Sequence, residues 1–393
     1  MNGLAYISEN KIFCLKNDKS EEIPCGRLEN YKSVLADIRR RNEWKSSGTG
    51  AQFMNQIAAP EEFDNMLIAS CEITGLACFE GQLVYGVRLD ESGGIYIRSA
   101  DRSQEPETLV ISGKDIFPGR MSCCGDKLSV SCGENRLEKH ISVYTLPSSH
   151  CREYTDGDTI EESPREDGGS IYFSTAGYAR NPDGSVAAVQ NKSIVKLDTA
   201  AGRMDEVLSD EKYDFLCPFP DGIGGIYCIR QPAGGENSDN ENLLKDVVMF
   251  PIRIIKAIGG FLDMFSIIFG GESLRSDGKS FSEKHAEKAM RKSRKEMLID
   301  GNIINAEKNM KAEQNSGEKY PGIMPQSRVL IHADSSGNIE VIRKGVLDFI
   351  LLSDGNLAVS NGGHILIADR NGTTLKAYKA DKASALTEII SAD

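Results

Sequence analysis

The segment SPREDGGSIYFST (Ser163 to Thr175) decides the fold, because a similar phrase returns as FPDGIGGIYCIR (Phe219 to Arg230). In both segments a glycine-rich turn leads into a strand that alternates around Ile-Tyr. Weaker copies are LDESGGIYIRS (Leu89 to Ser99) and LLSDGNLAVSN (Leu351 to Asn361). Strand phrases that recur along a chain predict repeated supersecondary units, and the usual closed arrangement of such units is a β-propeller.

The remaining strand patterns form groups of four from about Ile73 onward, which predicts a mainly β protein with about six four-stranded blades. The irregular spacing of the groups also allows five or seven blades. The last apolar segment, ALTEIIS (Ala385 to Ser391), has no partner in its own group, and the three strands predicted within residues 3–24 lack a fourth. We therefore predict that the C-terminal strand completes the N-terminal blade and closes the ring.

Composition narrows the class of protein. A chain of 393 residues with 40% hydrophobic side chains can bury a large core, so we expect residues 1–393 to form a single propeller domain. The net charge of -12 argues against a nucleic-acid partner, because phosphate contacts need surplus Lys and Arg. The start, MNGLAYISENKIFCL, has no signal-peptide pattern, and most of the ten cysteines occupy strand positions. These features predict a cytoplasmic protein with reduced core thiols.

No catalytic residues, metal ligands or cofactor motif stand out. The five histidines lack zinc-ligand spacing, and the single GxG near Ser46 lacks the strand that precedes a nucleotide-binding loop. A helical excursion over 29–45 is predicted after the first blade, because Tyr31, Val34, Leu35 and Ile38 fall on one helix face. The basic residues at its end are typical of the last turn of a helix, and the alternative interpretation is that they contact RNA.

The repeats resemble the TolB-like, WD-like propeller repeats of bacteria. The resemblance is carried by Ser163-Pro164 with Asp167-Gly168, by Pro220-Asp221-Gly222 and by Ser353-Asp354-Gly355, and the run Ile194 to Leu208 resembles the outer hairpin of that repeat. The first two blades depart from the pattern. The resemblance implies a propeller with a binding role and carries no catalytic residues. The GxSxG elbow of the peptidase domains that accompany some such propellers is absent from the sequence.

Residues 232–326 interrupt the penultimate blade and are predicted to be a helical insertion. Its first part, helix 247–269, is apolar except for a narrow polar stripe, and its second part is a charged helix from about Phe281 to Lys311 with a basic first half. Three charges in the middle of the apolar helix argue against a membrane span. Packing on the propeller, on a second copy or on a protein partner, and an in-plane membrane helix, all remain open.

We therefore predict a non-catalytic interaction platform that docks a protein partner, or itself, through residues 241–320, with weak contact to anionic membranes as a further possibility. One loop outside the insertion, from Ala176 to Arg180, is expected to present Tyr and Arg anchors on a propeller face, or alternatively to cover a blade edge. The alternatives are a peripheral membrane protein and a propeller hydrolase with a carboxylate and metal site in the central channel. The candidate partner-binding residues are Phe250, Arg253, Ile254, Lys256, Phe261, Phe265, Phe269, Lys288, Arg291, Lys292, Tyr178 and Arg180.

Overall fold

The protein is described here by a computed structural model, which covers residues 3–46, 71–89, 92–100, 106–114, 116–133, 138–180, 186–233, 296–299 and 302–390. Over these residues the strands form six four-stranded antiparallel blades. Blade 1 consists of β1 (Gly3–Ser8), β2 (Lys11–Lys16), β3 (Lys19–Ile23) and the last strand, β27 (Ser384–Ile389). Blade 2 consists of β4 (Glu72–Phe79), β5 (Gln82–Leu89), β6 (Ser92–Ser99) and β7 (Thr108–Gly113). Blade 3 consists of β8 (Phe117–Cys124), β9 (Lys127–Gly133), β10 (His140–Thr145) and β11 (His150–Glu153).

The second half of the ring contains the additional elements. Blade 4 consists of β12 (Thr159–Asp167), β13 (Ser170–Arg180), β15 (Ser193–Asp198) and β16 (Arg203–Leu208), with the short β14 (Val186–Val189) paired to β13. Blade 5 consists of β17 (Tyr213–Pro220), β18 (Ile226–Pro232), β21 (Val329–Ala333) and β22 (Ile339–Lys344). Blade 6 consists of β23 (Asp348–Leu351), β24 (Leu357–Ser360), β25 (His364–Ala368) and β26 (Thr374–Lys379). Helix α1 (Gly26–Ser46) follows blade 1, and β19 (Glu296–Ile299), β20 (Asn302–Asn305) and helix α2 (Ala306–Asn315) lie between β18 and β21.

The ring closes as the sequence predicts. Strand β27 pairs antiparallel with β1, with Gly3 opposite Ile389 and Ala5 opposite Thr387. The innermost strands β27, β4, β8, β12, β17 and β23 contact one another in that order, and β23 returns to β27. Blade 1 therefore contains both ends of the described chain, which removes a bare sheet edge. In a ring of this order, blades 3 and 6 lie opposite each other.

The core lies between neighbouring blades, because each strand alternates buried side chains toward the adjoining sheet. Leu128 and Val130 of blade 3 pack with Ile95 of blade 2, and Leu216 of blade 5 packs with Val359 of blade 6. All five side chains are almost fully buried. Each such burial stabilises the fold by roughly 1.5–3 kcal/mol, so the hydrophobic contribution is spread around the whole ring.

Helix α1 is present where the sequence predicts a helix, although it begins earlier, at Gly26. The Glu107 carboxylate accepts hydrogen bonds from the backbone N–H groups of Gly26 (2.8 Å) and Arg27 (3.1 Å), which fixes the first turn. Leu28 packs into the core that contains Tyr85 of blade 2. In the described residues no helix is both long enough and apolar enough to cross a membrane.

Two sequence predictions are wrong. The segment from Ala176 to Arg180 was expected to be a loop, but it continues β13 and pairs with β14. The charged helix predicted from Phe281 to Lys311 is contradicted over residues 296–299 and 302–305, which pair as the antiparallel strands β19 and β20, with helix α2 beginning only at Ala306. An Asp-Gly pair between two short apolar runs is a strong hairpin signal, and here it outweighs the helical spacing of Met297, Leu298 and Ile304.

Candidate functional site

Tyr178 and Arg180 lie in the hairpin of β13 and β14, where Tyr178 is opposite Val189 and Arg180 is opposite Val186. This hairpin extends from the end of the second strand of blade 4. The insertion leaves blade 5 from the equivalent end of β18, so the two extensions lie on the same face of the propeller. Backbone hydrogen bonds hold each extension to its own blade, because the Gln190 N–H donates to the Gly177 carbonyl and the Ala233 N–H donates to the Lys212 carbonyl.

The Arg180 guanidinium is neutralised within the propeller. Its Nε donates to Asp158 at 2.6 Å, and a second nitrogen makes an ion pair with Glu138. The hydrogen bond to Asp158 and the charges of both carboxylates raise the pKa of Arg180. Tyr178 is half-buried, and burial, reinforced by the Glu162 carboxylate, raises the pKa of its hydroxyl to about 12.

Glu162 joins two cations beside this hairpin. Lys139 of blade 3 and Lys192 of blade 4 each donate to its carboxylate at 2.6 Å. Burial by itself would raise the pKa of Glu162, but the two ammonium groups outweigh burial and hold that pKa well below its usual range. We call the set of Glu138, Asp158, Glu162, Lys139, Lys192 and Arg180 the face cluster. Its three cations are matched by three carboxylates.

The ten remaining predicted partner-binding residues fall outside the described residues. They are Phe250, Arg253, Ile254, Lys256, Phe261, Phe265, Phe269, Lys288, Arg291 and Lys292. The structure therefore places two of the twelve predicted residues, Tyr178 and Arg180, and gives the position of the insertion through the residues at its two ends.

The C-terminal part of the insertion is packed firmly on the ring. Ile304 of β20 lies in a buried cluster with Ile323, Met324 and Leu347, the last of these at the start of blade 6. From helix α2, the buried Asn309 donates to the Ile323 carbonyl at 3.0 Å. These contacts define the insertion base, which consists of residues 302–328.

Buried polar contacts fix the same base from two sides. The Glu313 carboxylate accepts hydrogen bonds from the Gly322 N–H and from the Gln326 amide, both at 2.5 Å. Arg328 is 1% exposed and donates to the carbonyl oxygens of Val346 and Leu347 at 2.8 and 3.2 Å. It also donates to Gln231, which lies at the other end of the insertion. One guanidinium thus ties the entrance and the exit of the insertion to blade 6.

The centre of the channel is built from bulges in the inner strands. In four blades, two inner-strand residues stand opposite one residue of the neighbouring strand. The pairs are Ala385-Leu386 in blade 1, Gly119-Arg120 in blade 3, Ser163-Pro164 in blade 4 and Cys217-Pro218 in blade 5. All eight residues except Gly119 line one cavity, together with parts of β4 and β23. A β-bulge changes the direction of its side chains and interrupts the hydrogen bonds between strands. Four blades therefore have the same kind of irregularity at one level of the channel.

The inner strands approach closely at this level. Gly75 of β4 lies so near β8 that an added Cβ would stand 2.3 Å from the Gly119 carbonyl oxygen, so a larger residue would not fit without backbone movement. Three bulge residues, Ser163, Cys217 and Ala385, have φ values of 57°, 52° and 49°. Such left-handed conformations are costly for residues other than glycine and tend to cluster at functional sites.

An ion pair spans the channel. Arg120 of blade 3 donates to Asp348 of the opposite blade 6 at 2.7 Å, and Asp348 is 2% exposed. The second oxygen of Asp348 accepts from the backbone N–H of Leu386 at 3.1 Å. A third charged residue, Arg165 of blade 4, lines the same cavity and stacks on Phe219, with its Cζ 4.2 Å from the ring centre. We call Arg120, Arg165 and Asp348 the channel centre.

None of the three residues of the channel centre was predicted from the sequence. Inward orientation depends on the bulges, and a strand pattern with a period of two cannot show which side of a bulge a residue faces. One signal was present, because Pro118, Pro164 and Pro218 interrupt inner strands. Proline within a strand is typical of an edge or a bulge. Arg120, two residues after Pro118, and Arg165, one residue after Pro164, are therefore marked by the sequence as neighbours of bulges.

Comparisons with known proteins show similarity of fold. No protein-family model matches the chain, and no curated protein matches it. Among solved structures, TolB from Acinetobacter baumannii aligns over 99% of this chain and 66% of its own, with 9% identity and a TM-score of 0.49. A TolB structure from Agrobacterium tumefaciens aligns over 59% of this chain and 67% of its own, with 13% identity and a TM-score of 0.38. A prolyl endopeptidase aligns over 96% of this chain and 53% of its own, with 11% identity and a TM-score of 0.39.

This chain therefore spans at most about two thirds of each of those three proteins. The sheet order itself establishes the architecture as a six-bladed propeller over the described residues. The chain is a propeller similar in fold to the TolB structures, and similarity at this level says nothing of activity or partner.

Proposed function

We propose that the protein is a non-catalytic interaction platform in which the propeller presents its insertion as a docking element for a protein partner or a second copy of the chain. The observation that supports this proposal is the anchoring of the insertion base. Arg328 ties Gln231 to blade 6, and Glu313 and Asn309 hold the chain between Pro321 and Gln326 against the ring.

A fixed base favours binding for a physical reason. A segment whose ends are anchored has less conformational entropy to lose on association than one with free ends, so more of the contact energy appears as affinity. The sequence of the intervening segment offers suitable contacts, because Phe250, Phe261, Phe265 and Phe269 are predicted to share a broad apolar face and Lys288, Arg291 and Lys292 follow in a basic run. Aromatic and arginine residues are the common anchors of protein interfaces.

We also propose a cytoplasmic, reducing location. None of the ten cysteines forms a disulfide bond in the part of the chain that the structure describes, and Cys25, Cys71, Cys217 and Cys228 are buried in the propeller core. Burial raises the pKa of the Cys25 thiol to about 11 and also raises that of Cys228, which keeps both thiols protonated and poorly reactive. Free core thiols are typical of proteins kept in a reducing compartment.

The docking proposal is tested on matched variants of the full chain. Phe261→Asp with Phe265→Asp places two charges on the predicted apolar face, and Asp263→Asn changes the polar stripe between them. Molar mass by light scattering reports self-association, and affinity capture from a native extract reports a partner. We expect the double variant to lose the larger species or the captured protein, and Asp263→Asn to retain it. Unchanged mass and capture in the double variant would refute the proposal.

Two further measurements complete the test. A chain in which residues 234–295 are replaced by a short Gly-Ser linker keeps the insertion base and is expected to remain folded, with a circular-dichroism spectrum dominated by β structure. It is also expected to lose the partner or the self-association. Flotation with anionic vesicles distinguishes protein docking from the membrane alternative. Lipid binding that requires residues 247–269 would make membrane association, and not protein docking, the function.

A further inference from the structure

The channel centre carries a local excess of positive charge in an acidic protein. The chain has a net charge of -12, yet the residues that line the central cavity include two guanidinium groups and one carboxylate. These groups come from Arg120, Arg165 and Asp348. Uncompensated charge is costly in a partly buried site, so such an excess calls for an explanation.

Asp348 cannot neutralise both arginines. One of its oxygens accepts from Arg120 and the other from the Leu386 N–H, so both are engaged. Arg165 makes no hydrogen bond or ion pair with any residue that the structure describes, and its buried Nε is left without a partner. Phe219 covers one face of the guanidinium and leaves its N–H edge as the donor surface.

The environment of Arg165 agrees with this geometry. The pKa of its guanidinium is lowered to about 10, chiefly by burial; Asp348 opposes this change, and the positive charge of Arg120 contributes to it. Arg120 and Arg165 are therefore close enough to repel each other. An anion placed between them would relieve that repulsion and supply the hydrogen-bond acceptor that Arg165 lacks.

We propose that the channel centre is a binding site for a carboxylate, held between the guanidinium groups of Arg120 and Arg165. A guanidinium presents parallel N–H donors that match the two oxygens of a carboxylate. The cavity volume is about 30 Å³, which is room for two or three water-sized atoms and therefore for a carboxylate head rather than a larger group. The bulges at Ser163, Cys217 and Ala385 line the same cavity, and their strained backbone is of the kind that accompanies ligand sites.

This site is independent of the proposed docking element, because it involves the inner strands and not the insertion. The carboxylate has two possible sources, a free small acid or the terminal carboxylate of a peptide that enters the channel. In both cases a carboxylate accepts hydrogen bonds from the two guanidinium groups. The experiment uses formate as the minimal probe and short peptides to distinguish the sources.

The test observes the arginine Nε–H groups directly by NMR in protein labelled with ¹⁵N-arginine. Formate is titrated against chloride at constant ionic strength. We expect saturable shifts of the Arg120 and Arg165 signals, each assigned through its Met variant, and no shift of the exposed Arg203. In Arg165→Met the dissociation constant for formate, followed on Arg120, should rise by about tenfold or more. Arg203→Met should bind formate like the original chain.

Each outcome decides the proposal. The proposal is overturned if the original chain shows no saturable shift, and this outcome does not depend on the folding of any variant. It is also overturned if Arg165→Met binds formate with the same affinity as the original chain. An Ala-Ala-Ala peptide with a free C-terminus that competes with formate, when its amidated form does not, supports a peptide terminus as the source. Formate binding without peptide competition supports a free small acid. Equal competition by the free and amidated peptides would overturn recognition of a carboxylate.

Discussion

The channel centre and the face cluster both join charged residues from different blades, yet they differ in charge balance. In the face cluster three cations meet three carboxylates, and Glu162 alone receives two lysine ammonium groups at 2.6 Å. In the channel centre two guanidinium groups share one carboxylate, and Arg165 has no hydrogen-bonding partner among the described residues. Balanced networks stabilise and position a structure, whereas an imbalance leaves binding capacity.

Depth in the molecule adds to this difference. The carboxylate of the channel centre, Asp348, is 2% exposed, while those of the face cluster, Glu162, Glu138 and Asp158, are 19%, 34% and 56% exposed. A buried charge depends strongly on its partner because water cannot replace that partner, but an exposed charge is solvated when its partner is removed. The two regions should therefore respond differently to the loss of one charge.

The largest effect is expected from Asp348→Asn. This change leaves Arg120 and Arg165 without a counter-charge in the channel, and breaking a buried pair costs about 4 kcal/mol in the free energy of unfolding. Urea denaturation measures the loss. Asp354→Asn is the matched control, because Asp354 is exposed in the β23–β24 turn of the same blade and should change stability little. Similar losses in both variants would show that the channel pair has no special role.

An intermediate effect with a clear pH signature is expected from Glu162→Gln. The pKa of Glu162 is held below its ordinary value of 4.5, so ionised Glu162 stabilises the fold above that pH. We expect the variant to lose about 2 kcal/mol at pH 7, and the difference to vanish as pH falls from 4.5 through the lower folded-state pKa.

The neighbouring Glu161 provides the control for this prediction. Burial raises the pKa of Glu161, so its ionisation opposes folding and the sign of its pH dependence is reversed. Glu161→Gln should therefore cost less at pH 7 than Glu162→Gln. Parallel stability curves for the two variants between pH 3 and 7 would contradict the charge assignment of the face cluster.

The propeller ring could be predicted from the sequence, because the turn and strand patterns that indicate a blade are short and recur along the chain. The Asp-Gly and Gly-Gly turns at Asp167 and Asp221 and the alternating strands that follow them indicate blades in any setting. The unpaired segment from Ala385 onward predicted closure, and β27 does pair with β1. The strand pair β19–β20 was predicted wrongly as a helix, because its strand signal competes with the helical spacing of its apolar residues.

The channel centre could not be predicted, because it is assembled from residues far apart in the chain. Arg120 and Asp348 are 228 positions apart and meet only because blades 3 and 6 face each other across the ring. A bulge of one residue changes the side to which all later side chains point, so Arg165 could not be assigned to the channel from alternation alone. Arg180, by contrast, attracted attention as a surface anchor and proved to be paired with Asp158 and Glu138.

The smallest effect is expected from Arg180→Met, and it tests whether Arg180 is an anchor for a partner or a support for the hairpin. Its carboxylate partners lie at the surface, so the loss of stability should be slight at low salt and should disappear at high salt through screening. Thermal unfolding at two salt concentrations measures this dependence. If the same variant loses a captured partner while its stability is unchanged, Arg180 contributes to binding. If stability falls at both salt concentrations and capture is retained, the residue serves the β13–β14 hairpin, and recognition on this face belongs to the insertion alone.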